Sequence, residues 1–420
     1  MPPTSRLEVD LTAISANVRV MRGMLESRIA GAAAGGRAVP ATTPGICAVL
    51  KADAYSLGAA RIAKRLSIAG VEMLAVYTPE QARALIDAAI TAPILMLMPV
   101  HEMERGDPLY RAASRGQLHF TVHDRSTLDA LATMVEKLGL HLSAHLELDT
   151  GMSRGGANLD EAGQLFERMV RMPRIRIAGI FNHFASADTD DAMTRRQADD
   201  FSRWLEERKD RIPPDCVIHE ANTFGAFRSG VYHRSMVRVG LALLGYASED
   251  FHDRDGFEFA PEAERLTPAL RWVSQLVHVK TIEAGTSVGY QATWRAARRT
   301  RLGLVPVGYA DGYPLSLSNA ARVGVVLSSG IKAFAPLVGR VSMDQFTVDL
   351  TDVPEEQVGV GSVVEVVGND RTAPNHLPEL ARRGGTIVHE LLCRLSARLP
   401  RQYIAVEQPA ATPVTGAVAV

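Results

Sequence analysis

A lysine that closes an apolar run is a place where chemistry becomes possible, and Lys51 closes ICAVLK. Such a run reads as a strand that buries the base of the side chain and turns its amine out at the end. Burial and cationic neighbours lower a lysine's pKa, which suits Schiff-base chemistry. Other polar residues stand at the ends of similar runs: Asp149 with Arg154 just after it, His183, Asn222 with Thr223, and Arg238. Each alone has a plainer reading as a hydrogen-bonded or solvated side chain. Together, two arginines at one mouth point to an anionic cofactor or substrate. Thr223, nearby backbone amides and the turn at Gly240 are able to cradle a phosphate. A Schiff-base lysine beside a phosphate cradle implies pyridoxal 5'-phosphate.

These residues meet only if the elements that carry them do. Eight apolar runs occur between Ile46 and Gly240: ICAVLKA, MLAVYT, ILMLMPV, LHFTV, LSAHLELD, RIAGIFNH, VIHEAN and MVRVG. Stretches with helical spacing separate most of them, such as LGAARIAKRLSIAG and TPEQARALIDAAI, the latter with Thr78 as N-cap and Pro79 at the first helical position. Alternating strand and helix predicts a parallel (β/α)8 barrel, with a doubly wound open sheet as the competitor, because periodicity does not show closure. In a barrel, residues at the C-terminal strand ends share one mouth.

From about Leu266 the runs become strand-like with Gly and Pro punctuation, and helical spacing returns only in HLPELARRG and IVHELLCRLSARL. The expected organisation is a barrel over 12–248 and a mainly β domain over 262–406, with residues 5–11 available to pair with the latter. The polar ASEDFHDRDGFEFAPEAER reads as a linker, residues 27–44 as a surface loop, and EQPAATPVTGAVAV as a frayed tail.

Length and charge narrow the function. A chain of 420 residues suggests two or three domains. Lys and Arg number 46 against 47 Asp and Glu, a balance that argues against a nucleic-acid or membrane-surface partner. Three scattered cysteines (Cys47, Cys216, Cys393) argue against a disulfide framework or a zinc site and favour a reducing compartment. The N-terminus lacks a signal-peptide h-region and no apolar run spans a bilayer, so the expected location is the cytoplasm.

The motifs AVLKADAYSLGA, LDTGMSRGG, HFASAD, HEANTFGAF, VRVGLALLGY, VGYQATW, PVGYADGYP and GRVSMDQ occur in this order. With them the chain resembles the alanine racemase family, from about Leu7 to Tyr403. The resemblance implies a pyridoxal-phosphate enzyme that interconverts L- and D-alanine, supplies D-alanine for peptidoglycan and acts as a homodimer with shared active sites. It implies Lys51 as Schiff-base lysine and one base, and Tyr290 of the partner subunit as the other. Tyr55 and Thr223, with backbone at Gly240 and Leu241, would hold the phosphate. Asn222 would lie beside the cofactor, Arg238 would face the pyridine nitrogen, and His183 would link Arg238 to Tyr290. Arg154 would touch cofactor and substrate carboxylate, as would the backbone of Met343. Tyr309, Asp311 and Asp344 would line or support the entrance.

The chain departs from the family pattern in three places. Ser56 and Leu57 follow Tyr55 where the family has glycine and histidine. Glu147 stands where the family often has a carbamylated lysine, and is expected to hold Arg154 directly. His389 stands where a tyrosine narrows the substrate pocket, so a roomier pocket is expected. Competing readings are a broader amino-acid or serine racemase, a related decarboxylase, and a pyridoxal-phosphate-binding homeostasis protein without racemase activity. Arg238 argues against the decarboxylase. The β domain argues against the homeostasis protein.

Overall fold

The computed structural model describes residues 3–34, 42–247 and 256–405. Strand β1 (Arg6–Asp10) leads into a helix, Leu11–Ala34. Asp10 Oδ1 caps it by accepting from the amides of Thr12 and Ala13 at 2.7 and 3.0 Å. Ile14, Val18, Met21 and Leu25, spaced for one helix face, are buried. The helix runs to Ala34, so the loop expected over 27–44 is corrected over its first part. Alanine is the strongest helix former, and the Ala-rich stretch continues the helix rather than ending it.

Eight parallel strands follow: β2 (Gly45–Val49), β3 (Met73–Val76), β4 (Ile94–Met96), β5 (Leu118–Val122), β6 (Leu142–Glu147), β7 (Ile175–Phe181), β8 (Val217–His219) and β9 (Met236–Val239). Their order is β8-β7-β6-β5-β4-β3-β2-β9. The two end strands then meet, Ser235 N donating to Ile218 O at 3.0 Å and Arg238 N to Ala221 O at 2.9 Å. The sheet therefore closes as a barrel, and the open doubly wound sheet is excluded. Five of the outer helices start at side-chain caps: Thr78, Asp107, Asp124, Asn158 and Asp190 each accept from an amide of the first turn. Thr78 forms a full capping box with Gln81, with Pro79 at the first helical position.

The C-terminal part is a nine-stranded sheet, ordered β11-β14-β17-β16-β15-β18-β10-β1-β19. Its strands are β10 (Leu270–Gln275), β11 (His278–Ile282), β14 (Thr300–Val305), β15 (Arg322–Val326), β16 (Lys332–Val338), β17 (Phe346–Asp349), β18 (Val363–Val367) and β19 (Arg401–Ile404). A short hairpin, β12 (Ser287–Val288) and β13 (Trp294–Arg295), carries Tyr290 in its turn. Strand β1 sits inside this sheet, antiparallel to β10 and parallel to β19. The expected linker is also corrected in its described part. Phe257, Phe259, Ala260 and Ala263 are buried, and Phe259 N bonds Phe227 O at 3.0 Å. The two aromatic rings pull this otherwise polar stretch onto the barrel. The tail expected to fray lies outside the described residues.

Candidate active site

Lys51 opens a left-handed turn. Residues Ala52, Asp53, Ala54, Tyr55 and Ser56 all have positive φ, from 52 to 64°. That conformation costs roughly 1–2 kcal/mol per L-residue, so other contacts must hold it. Arg401 donates twice to Ser56 O at 3.0 and 2.9 Å, and the Tyr403 hydroxyl to Leu57 O at 3.1 Å. Asp53 Oδ1 accepts from Ala59 N at 2.7 Å. Ser56, at the position where the family has glycine, bonds Cys393 O through Oγ at 3.2 Å. The β domain thus clamps the turn that carries the lysine. Taken as a whole residue, Lys51 is exposed. Its pKa is still lowered, first by the surrounding protein and then by the charge of Arg154.

The turn drives Tyr55 inward, where it is buried with its hydroxyl over Gly240. A Cβ on Gly240 would lie 2.0 Å from that oxygen, so only glycine fits. Gly240 N donates to Thr223 Oγ1 at 3.4 Å. Asn222 spends its side chain on the protein: Oδ1 caps Gly225 N at 2.9 Å and Nδ2 reaches Phe184 O at 3.4 Å. Tyr55, Thr223, Gly240 and Leu241 therefore gather at the ends of β8 and β9.

Arg238 is buried at the same end. Its Nη1 donates to His219 Nδ1 at 3.0 Å and His219 O at 2.9 Å. Its Nη2 donates to Asn182 O at 2.7 Å and His183 Nδ1 at 3.2 Å. All four acceptors are uncharged, so no direct carboxylate contact neutralises the guanidinium. Nε–H has no acceptor among the described residues. Burial and the charges of Arg238, Arg154 and Lys51 push His183 well below its ordinary pKa, so it is a neutral imidazole. His219 and Asn182 escaped sequence reasoning. The signal was there in VIHEAN, a histidine inside an apolar run.

The β domain brings further groups. His389 tilts over Tyr55 with ring centroids 5.9 Å apart, at the lysine turn where its motif position suggests. Its pKa is lowered by burial and by the charge of Lys51. Tyr309 and Met343 occupy adjoining turns, with Ala310 N bonded to Met343 O at 2.9 Å. Arg398, which sequence reasoning also missed, bridges Asp311 at 2.7 Å and Asp344 at 2.8 Å. Tyr290 is 70% exposed, Met343 55% and Tyr309 48%.

One expected pairing is overturned. Glu147 does not hold Arg154, which is exposed and pairs with no carboxylate among the described residues. Glu147 Oε2 instead meets His123 Nδ1 at 2.9 Å, while His123 Nε2 faces Leu97 O at 2.9 Å. The neighbouring β5 end places imidazole beside the carboxylate, whereas Arg154 extends on a loop. Burial is the largest single influence on His123 and opposes its protonation, but Glu147, the Leu97 carbonyl and Asp124 together outweigh it and the pKa is raised. A raised folded-state pKa adds stability that is full below the unfolded value and fades as pH climbs through the folded one. Glu147→Gln should therefore cost about 1–2 kcal/mol near pH ~5.5 and much less near pH ~9. Thermal melts at both pH values check this. Equal losses at the two would refute the ion pair.

A closed parallel barrel with a lysine turn, a buried arginine and a glycine–threonine cradle at one mouth, joined to a β domain, defines a two-domain barrel enzyme. Its N-terminal part, residues 9–248, matches the family model for the alanine racemase N-terminal domain, and residues 269–403 match that for the C-terminal domain. The chain belongs to the alanine racemase family and is an amino-acid racemase. It is 33% identical over 408 residues to the alanine racemase of Cutibacterium acnes, covering 96% of this chain and 98% of that one. Alanine racemase from D-cycloserine-producing Streptomyces lavendulae superposes with a TM-score of 0.81 at 28% identity, over 96% of this chain and 98% of that one. Alanine racemase from Bartonella henselae, solved with covalently bound pyridoxal phosphate, gives a TM-score of 0.76 at 27% identity, over 96% of this chain and 100% of that one.

Proposed function

We propose that the protein racemises alanine with pyridoxal 5'-phosphate and two bases, Lys51 and Tyr290 of the partner subunit. The observation that carries this reading is the donor set of Arg238. Its four Nη hydrogens are engaged by neutral acceptors and Nε–H has no acceptor among the described residues, on the strand that ends at the Tyr55–Thr223–Gly240 cradle. These residues fit the cofactor: Lys51 to attach it, Tyr55, Thr223 and the amides of Gly240 and Leu241 for its phosphate, Arg238 for its ring nitrogen. When bound, pyridoxal phosphate withdraws electrons from the substrate's α-carbon and acidifies its proton.

The chain's own residues do the rest. Arg238 keeps its charge and cannot give up a proton, so it leaves the ring nitrogen unprotonated. That moderates electron withdrawal and disfavours transamination and decarboxylation. A lowered Lys51 pKa raises the neutral fraction able to take the α-proton from one face. A second base must return it from the other face. Tyr290 is exposed on its own protomer, as a residue given to a neighbour would be, which supports a homodimer with shared sites. Exposed Arg154, which pairs with no carboxylate among the described residues, is a cation for the substrate carboxylate, with Met343, Asp344 and Tyr309 at the entrance. The setting that fits is a cytoplasmic supply of D-alanine for peptidoglycan. Purified protein assayed against a panel of L- and D-amino acids, with cofactor absorbance recorded, tests the reading. Absence of alanine racemisation in a cofactor-loaded protein would overturn it.

His389 favours a second, broader reading. Imidazole is shorter than phenol, and burial keeps it neutral over Tyr55. Turnover of serine beside alanine is therefore expected. His389→Tyr should raise the alanine-to-serine ratio of kcat/KM by about tenfold. No serine turnover together with an unchanged ratio would remove His389 from the pocket.

A further inference from the structure

The barrel interior holds a line of histidines of which the mechanism above uses only the first, His219. It begins at Arg238. His219 Nε2 lies 2.9 Å from His145 Nδ1, and His145 Nε2 lies 2.8 Å from His119 Nδ1. The Gly116 backbone favours the protonated form of His119 at the far end of the line. His219 and His145 are fully buried and His119 nearly so. Burial, with the charges of Arg238 and Arg176, holds all three below the ordinary imidazole pKa, His119 at about 4.

The direction of the line follows from its first member. A guanidinium only donates. His219 Nδ1 must therefore accept, which puts the proton of a neutral ring on Nε2. That N–H donates to His145 Nδ1, which puts the proton of His145 on its Nε2, and the same step sets His119. The fold makes costly room for this. The β6–β7 register breaks at His145, whose partner moves from the Ile177 level to Gly179. A Cβ on Gly179 would lie 2.1 Å from His145 Nδ1. A bulge and a bare glycine in a buried strand both weaken a sheet, and barrel interiors are ordinarily filled by branched apolar side chains.

We propose that His145 and His119 are positioning residues: their one-way line holds His219 with Nδ1 open to Arg238, and so keeps the guanidinium set for the cofactor's ring nitrogen. The last clause rests on the function proposed above. The tautomer line itself does not.

Side-chain 15N spectra of histidine-labelled protein, before and after cofactor removal, report which nitrogen carries each proton. The expected result is Nε2–H at His219, His145 and His119 in both. Nδ1–H at His219 or His145 would overturn the proposal whatever the activity. His119→Phe removes the acceptor for His145 while leaving the Arg238 contacts in place. It should mix the tautomers of His145 and His219 and weaken cofactor binding roughly two- to tenfold, the range for one neutral hydrogen bond. It should also raise abortive transamination per racemisation turnover. His119→Gln, whose carbonyl is able to accept from His145, should restore all three readouts. Unchanged tautomers and cofactor affinity in a folded His119→Phe protein would reduce the line to core packing. If His119→Phe does not fold, the wild-type spectrum and the His119→Gln protein decide. A locked line in a protein without racemase activity would sink the proposed function and spare the line.

Discussion

Lys51→Ala should abolish racemisation, with a fall of more than about 10⁴-fold, because it removes both the attachment point and a base. The fold should survive, since Lys51 as a whole residue is exposed and the clamp on its turn runs through backbone carbonyls of Ser56 and Leu57. Circular dichroism and melting should match the wild type while the Schiff-base absorbance disappears. Borohydride reduction of the wild type followed by peptide mapping should place the pyridoxyl label on Lys51. Label on Lys64 or Lys280, or substantial activity in Lys51→Ala, would show that the chemistry lies elsewhere.

The second large effect is recovery rather than loss. Lys51→Ala and Tyr290→Phe homodimers should each be nearly inactive. Mixed under conditions that allow exchange, they should regain roughly a quarter of wild-type activity by random pairing in a two-fold dimer. A heterodimer holds one site with both bases intact and one with neither. If both bases came from one chain, every site in the mixture would stay broken. No recovery despite demonstrated exchange would therefore place the two bases on a single protomer.

Much of this fold is legible in the residues because its signals are local. Eight apolar runs with capped amphipathic helices between them are periodic patterns, and Thr78 with Pro79 names a helix start outright. Closure was not local: it depends on Ser235 and Arg238 reaching Ile218 and Ala221 across the seam. The loop expected after Ser27 failed because Gly and Ala were read together as loop signals, although alanine favours helix. The linker failed because two phenylalanines were outvoted by their polar neighbours. Within the site, residues at strand ends could be named, but their partners could not. Glu147 is expected on Arg154 because it stands where the family often has a carbamylated lysine, while its partner His123 comes from the end of the neighbouring strand. His145, between Ala144 and Leu146, and His219, after Val217 and Ile218, carry a detectable mark, a histidine in a strand-like apolar stretch. Which nitrogen each uses depends on Arg238, and that exists only in three dimensions.

The position of β1 bears on how the protein is made. Leu7 pairs with Arg401 on one side and Trp272 on the other, so among the described residues the first strand waits for the last. On the ribosome, the barrel can be assembled long before residues 401–404 emerge, yet β1 has one edge unpaired until they do. The clamp from Arg401 and Tyr403 onto the lysine turn arrives at the same late moment. A nascent chain halted before β19 would own every cradle residue and still lack the Arg401 and Tyr403 contacts that brace the lysine turn.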